Sequence, residues 1–162
     1  VVHSKQYYRL FTCTLVHADW MHLLFNMITL YAFGPVTEMI LGHWQFLVLY
    51  AGSQLVSTIP TLAKHRHNKA YASLGASGAI SGLVFSYILF APTSELLLFL
   101  AIPLPAWIFG LLYLAYSHIA ARRQFDNVNH DAHIWGAIGG LIFTGMMAPE
   151  AFVIFAYQMG LL

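Results

Sequence analysis

Polar residues in this chain gather in short clusters, and the runs between them are long and apolar. Five runs stand out: Trp20–Leu41, His43–Leu62, Leu74–Pro92, Leu96–Ala121 and Ala132–Ala148. Each lies near the roughly 20 mostly apolar residues that a helix needs to cross a bilayer. The separators are brief: Gly42, the basic run Lys64–Lys69, Pro92–Glu95, and Arg122–Asp131. This pattern predicts an all-α fold, a polytopic transmembrane helix bundle with five visible spans. With no low-complexity tract and no internal repeat, residues 1–162 read as one membrane domain. The tail Ala151–Leu162 is apolar but too short to cross, and is expected at the interface or packed on the bundle. The opening Val1–Asp19 mixes Tyr7, Tyr8, Leu10, Phe11, Leu15 and Val16 with Arg9 and His17. Tyrosines and a snorkelling arginine suit the headgroup layer, so this stretch reads as an interfacial segment.

Composition agrees with lipid as the solvent. Of 162 residues, 59% are hydrophobic and 8% charged, with mean hydropathy +0.69. A soluble domain carries about 25% charged residues, so this chain has too few to cover a water-facing surface. The net charge of +1 offers no basic face to nucleic acid. The single cysteine, Cys13, has no partner for an internal disulfide and reads as an apolar structural residue rather than a nucleophile. No cleavable signal peptide is visible, and Val1 starts without Met or a charged leader, so an upstream segment is expected.

Polar residues inside membrane spans need partners and are functional suspects by default. His22 and Asn26, four residues apart, share one helix face, and His17 lies just before them. They fit either interhelical hydrogen bonding or a pair of donors aimed at one spot. Glu38, in Gly34-x3-Glu38-x3-Gly42, is 16 residues beyond His22, about 24 Å along a helix, and so lies near the opposite membrane face. A structural anchor or cap suits it better than chemistry.

The third run contains Gly75-Ala76-Ser77-Gly78, a serine at a helix start where backbone N–H groups can hold an anion. Serine alone is weak evidence, since Ser53, Ser57, Ser81 and Ser86 also lie in spans, and the hydrolase elbow G-x-S-x-G is broken by Ala79. The fifth run opens with His133, then Gly136 and Gly140; Gly78 and Gly82 make a second small-residue face. Such faces let helix backbones approach closely. If they meet, Ser77 and His133 come to equivalent depth on one membrane side; otherwise they are incidental residues of two packed helices.

In this order, Tyr8-Arg9, His17-x4-His22-x3-Asn26, Gly34-x3-Glu38-x3-Gly42, Gly75-Ala76-Ser77-Gly78 and Ala132-His133-x2-Gly136-x3-Gly140 resemble the rhomboid family of intramembrane serine proteases. The resemblance implies a six-helix core of which the first helix precedes Val1, and a bacterial inner-membrane setting. It implies Ser77 as nucleophile and His133 as general base of a dyad. His22, Asn26 and the Ser77 amide become oxyanion donors. Arg9, His17, Glu38, Gly75, Gly78, Gly136 and Gly140 carry over as structural positions. Substrates would be transmembrane segments of other membrane proteins, with a small side chain at the cleaved position, and no cofactor is implied. Two departures stand out: Tyr8 replaces the usual tryptophan, and Ser81 stands where some bacterial members place a tyrosine that stacks on the catalytic histidine. Something else must then hold His133.

Other readings stay in view. Nine histidines raise the question of a metal site, but H-E-x-x-H is absent and His17 and His22 are five apart rather than four. His43, His65, His67 and His118 read as solvated surface residues. A non-catalytic member that binds transmembrane clients would not need Ser77 and His133. Orientation draws on two conflicting signals. The resemblance turns the site, with Lys64–Lys69 and Arg122–Arg123, away from the cytoplasm, whereas the positive-inside rule puts those basic loops inside. The resemblance is followed here.

Overall fold

A computed structural model describes residues 6–67, 73–98, 101–123 and 128–162. The outermost residues of the interfacial segment (1–5) and parts of both basic loops (68–69 and 124–127) lie outside the described residues. A short helix α1 (Arg9–Thr12) runs into a tight 3-10 turn at Cys13–Leu15. Then follow α2 (Trp20–Leu41), α3 (His43–His65), α4 (Ser77–Phe90), an antiparallel hairpin of β1 (Glu95–Leu98) and β2 (Ile102–Pro105), α5 (Ala106–Arg123), α6 (His130–Met147) and α7 (Glu150–Gln158).

The start of α2 is set by Asp19, whose carboxylate accepts from the His22 amide at 2.8 Å. This is an N-cap that satisfies one of the helix's orphan donors. The helix ends at Gly42, whose φ of +90° suits glycine and turns the chain directly into α3. Glu38 lies at this turn: its carboxylate pairs with His43 Nδ1, and its carbonyl accepts from the Gly42 amide at 2.8 Å. Asn129 caps α6, accepting from the Ala132 amide at 3.1 Å, and gives its own amide to Ser73 Oγ at 3.0 Å. The linker before α4 is thereby tied to the start of α6.

The stretch Leu96–Ala121 departs from the single helix that its apolarity predicts. Its first part is the hairpin, with Glu95 opposite Pro105 and Leu98 opposite Ile102. Pro103 and Pro105 explain this: proline lacks the amide that a helix interior needs, and it pushes the preceding residue to extended backbone. Only from Ala106 does the chain become helical. The tail also resolves into structure, since α7 turns 111° from α6 after Ala148-Pro149. It is fastened to the end of α4 by Gln158, which donates to the Phe90 carbonyl at 3.1 Å.

At the centre stands α4, with eleven buried residues among fourteen. Glycines let α3 and α6 close on it. A Cβ at Gly136 would fall on the backbone of Gly78, and one at Gly140 on the backbone of Gly82. A Cβ at Gly78 would meet Ser57 on α3. The two small-residue faces therefore meet at backbone contact. Buried hydroxyls add specific bonds, including Thr144 to Ser86 at 2.7 Å between α6 and α4.

The outside is apolar instead. Trp20, Tyr31, Met39 and Trp44 are each about 80% exposed or more, a surface that water would penalise and acyl chains solvate. By length and apolarity α2 and α3 each suffice to cross a bilayer, and α6 with α7 reaches the same measure only if the bent pair is one span. This is a polytopic, integral membrane helical fold.

Candidate active site

Ser77 is the first residue of α4, half-buried, with the carbonyl-to-amide ladder of the helix just beginning. His133 lies one turn into α6. His22 and Asn26 come from the first two turns of α2. All four line one cavity of about 390 Å³, bounded by α2, α4, α5 and α6 and walled elsewhere by Phe25, Ile80, Val84 and Phe109. The structure thus brings together Ser77, His133, His22 and Asn26. Glu38 is elsewhere, at the α2–α3 turn, and Arg9 is exposed on α1.

His22 reaches the start of α4 because Gly75 leaves room. Gly75 has φ +95°, and a Cβ on it would strike the His22 ring. Its amide donates to the Cys13 carbonyl at 2.9 Å, which pins the linker against the segment before α2. His17 packs edge-on against His22, ring centroids 5.2 Å apart, and so backs the ring from outside the cavity lining. Asn26 is 5% exposed, and its Nδ2 has no hydrogen-bond partner among the described residues. A buried amide donor without a partner costs about 1–3 kcal/mol unless water or a ligand meets it.

Below the serine, Gln54 on α3 knits three elements. Its Oε1 accepts from the Ala79 amide at 3.2 Å, and its Nε2 donates to Thr58 Oγ1 at 3.1 Å and faces Cys13 Sγ at 3.7 Å. Cys13 is half-buried, and burial pushes its thiol pKa up, which suppresses the nucleophilic thiolate. That environment fits a structural cysteine. Sequence reasoning passed over Gln54, although a glutamine in an apolar run is itself a signal that something polar must be satisfied nearby.

His133 is held by an aromatic ring. Tyr113 of α5 stacks on it with centroids 5.8 Å apart and planes 23° from parallel. The Tyr113 hydroxyl lies 2.5 Å from Ser81 Oγ, and Ser81 in turn donates to the Ser77 carbonyl at 2.7 Å. Asp131, the acid nearest in sequence, meets Lys64 Nζ at 2.5 Å and bridges α6 to the end of α3. His130 falls in the predicted separator Arg122–Asp131, but is the first residue of α6, directly after the Asn129 cap. It is buried, edge-on to both Tyr116 and His133 at 5.4 and 5.5 Å. Among the described residues no three His, Cys, Asp or Glu side chains gather as a metal site.

Comparison with known proteins decides the family. The rhomboid-domain family model matches residues 4–150. The chain belongs to the rhomboid family. It is 32% identical over 145 residues to the rhomboid-protease candidate YdcA of Bacillus subtilis, covering 88% of this chain and 68% of that protein. It is 31% identical over 135 residues to the mitochondrial rhomboid protein 1 of Saccharomyces cerevisiae, covering 78% and 38%. The rhomboid protease GluP of Bacillus subtilis is 26% identical over 152 residues, covering 93% and 28%. This rhomboid chain therefore spans well under half the length of several of the relatives it matches. One relative, from Caenorhabditis elegans, is named an inactive rhomboid-related protein, at 28% identity over 147 residues. Rhomboid relatives named for mitochondria and chloroplasts occur beside the bacterial ones. No solved structure matches this rhomboid significantly.

Proposed function

We propose that this rhomboid is an intramembrane serine endopeptidase that cuts transmembrane segments of other membrane proteins through a Ser77–His133 dyad. The observation that carries the reading is the shared cavity, where a helix-start serine, a histidine and two potential donors from α2 converge. In the mechanism, His133 takes the Ser77 proton as Oγ attacks the scissile carbonyl, then returns it to the leaving amine. The Ser77 amide, the His22 ring and Asn26 Nδ2 receive the developing oxyanion. The unpartnered Asn26 amide supports this role, since a preorganised donor acts most strongly where water is excluded.

Depth supports the reading too. Fourteen residues of α4 rise about 21 Å, short of a hydrocarbon core about 30 Å thick. A helix this short leaves room for the serine at its start to sit below the membrane surface, within reach of a transmembrane substrate. A substrate segment that unwinds easily exposes its scissile peptide at lower cost, which favours targets with helix-breaking residues.

The test is covalent. A fluorophosphonate should modify the purified chain at Ser77, mapped by mass spectrometry, and block cleavage of a transmembrane model substrate. Asn26→Ala and His22→Ala should each lower kcat by about 10–1,000-fold with little change in KM, as for groups acting in the transition state. Modification elsewhere, or an effect confined to KM, sinks the assignment. A chain that binds transmembrane clients but is neither labelled nor active would instead be a non-catalytic member.

The membrane housing the chain is proposed to be a bacterial inner membrane, with the site facing away from the cytoplasm. Single cysteines at the exposed positions His67 and Thr93, in a Cys13→Ser background, read this out with an impermeant thiol reagent on intact cells. Labelling at 67 alone is expected. Labelling at 93 alone would mean that the basic loops obey the charge rule instead.

A further inference from the structure

We infer that Tyr113 of α5 is the positioning residue for His133, and that Ser81 holds Tyr113 in place for this task. The inference rests on the dyad reading above and adds to it a group that orients the plane of the base. The Tyr113 and His133 rings lie within the 4.5–7 Å range in which offset-stacked aromatics attract. Stacking acts on the face of the imidazole and fixes its plane, whereas proton transfer uses the nitrogens at its edge.

The tyrosine is itself over-determined. Phe109 stacks on it at 6.2 Å and 19°, and Phe85 of α4 leans on it at 5.9 Å. Its hydroxyl is taken by Ser81, 2.5 Å away. Ser81 has a single proton, and directing it to the Ser77 carbonyl leaves Oγ to accept from the tyrosine. A continuous chain of contacts therefore runs from the His133 ring through Tyr113 and Ser81 to the backbone of Ser77. Nucleophile and base are registered against the same pair.

The pair also accounts for the small residue at position 81. The Tyr113 hydroxyl ends against Ser81, so a bulky side chain there would drive the ring off His133. The ring comes from α5 and the space for it from α4, and each residue suits the other. Asp131, the nearest acid along the chain, is engaged with Lys64.

The experiment uses the full chain in proteoliposomes with a transmembrane model substrate, and follows both cleavage and the rate of fluorophosphonate labelling at Ser77. Tyr113→Leu keeps apolar volume but removes the ring. It should lower kcat by about 10–100-fold, a part of the 10²–10⁴ that a positioned base supplies, with KM within about twofold and Ser77 labelling slowed in step. Tyr113→Phe keeps the ring and should retain activity within a few-fold. Ser81→Ala loses its own bond to the Ser77 carbonyl as well as the bond to Tyr113, so it should fall at or somewhat below Tyr113→Phe. The double variant should be no worse than Ser81→Ala, because the bond between the two residues is shared. Wild-type turnover in Tyr113→Leu, a loss confined to KM, or Tyr113→Phe as damaged as Tyr113→Leu would each overturn the inference. If Tyr113→Leu does not fold, the comparison of Tyr113→Phe with Ser81→Leu decides. Ser81→Leu crowds the Tyr113 hydroxyl without bringing a ring of its own to His133, and should depress kcat well below Tyr113→Phe; equal activity in the two overturns the inference. Absence of Ser77 labelling in the wild-type chain would defeat the dyad reading itself. Normal wild-type labelling with an unchanged rate in Tyr113→Leu would defeat only the role of Tyr113.

Discussion

Ser77→Ala should abolish cleavage of a transmembrane substrate, a fall of roughly 10⁴-fold or more, while leaving the thermal transition and helix content of the protein unchanged. The fold does not rest on this hydroxyl. Ser77 is half-buried at the first position of α4, and among the hydrogen bonds described here it is its carbonyl, accepting from Ser81, that is engaged. His133→Ala should be nearly as damaging, since serine without a base is a poor nucleophile. The double variant should lose little more than either single one, because the two groups act as a unit. His130→Ala is the control. That residue is buried against Tyr116 and His133, so its loss should cost stability, about 1–3 kcal/mol as for other buried side chains, but much less turnover than His133→Ala. Cleavage assays beside thermal melts separate the two. If Ser77→Ala retains wild-type turnover, the nucleophile is another residue; if His130→Ala exceeds His133→Ala in kcat, the base moves to His130.

Gly136→Leu should impair folding and activity together. The Cβ alone would overlap the backbone carbonyl, carbonyl carbon and Cα of Gly78. Backbone atoms in two buried helices have no rotamer to yield, so α4 and α6 must separate. The expected cost exceeds the 1–3 kcal/mol typical of overpacking by a methylene. Chemistry suffers for a geometric reason. Ser77 adjoins Gly78, and His133 is one turn ahead of Gly136, so the glycine contact is the fulcrum that sets the spacing of the two. Gly136→Ala should show a weaker version of both effects. A thermal melt and a cleavage assay on the same preparation check this. Full stability and activity in Gly136→Leu would mean that the helices do not touch there.

The residue types and their spacing along the chain reveal a great deal. Long apolar runs with few charges demand lipid-facing helices, because a backbone without water must satisfy itself. The small-residue faces at Gly78/Gly82 and Gly136/Gly140 are legible as close-packing surfaces, and in the fold they touch. His22 and Asn26 stand out because polar groups in an apolar run need a reason. The boundary of the hairpin was also available in the two prolines of Ile102–Pro105, but apolarity over Leu96–Ala121 masks it. Periodicity and hydropathy cannot tell an apolar strand from an apolar helix over so few residues.

What the sequence determined by itself is therefore the helical membrane class and the residues eligible for chemistry. Which of them meet is a tertiary matter. Tyr113 is one aromatic among many in an apolar helix and has no local signature. It becomes distinctive only when α5 packs beside α4 and α6, so that its ring covers His133 and its hydroxyl finds Ser81. Asp131 lies two residues from His133 in sequence yet turns to Lys64 of α3. Short-range sequence patterns record which side chains share a helix face. Stacking, ion pairing and the emptiness that admits a ring are properties of several helices at once, and they exist only after packing has brought those helices together.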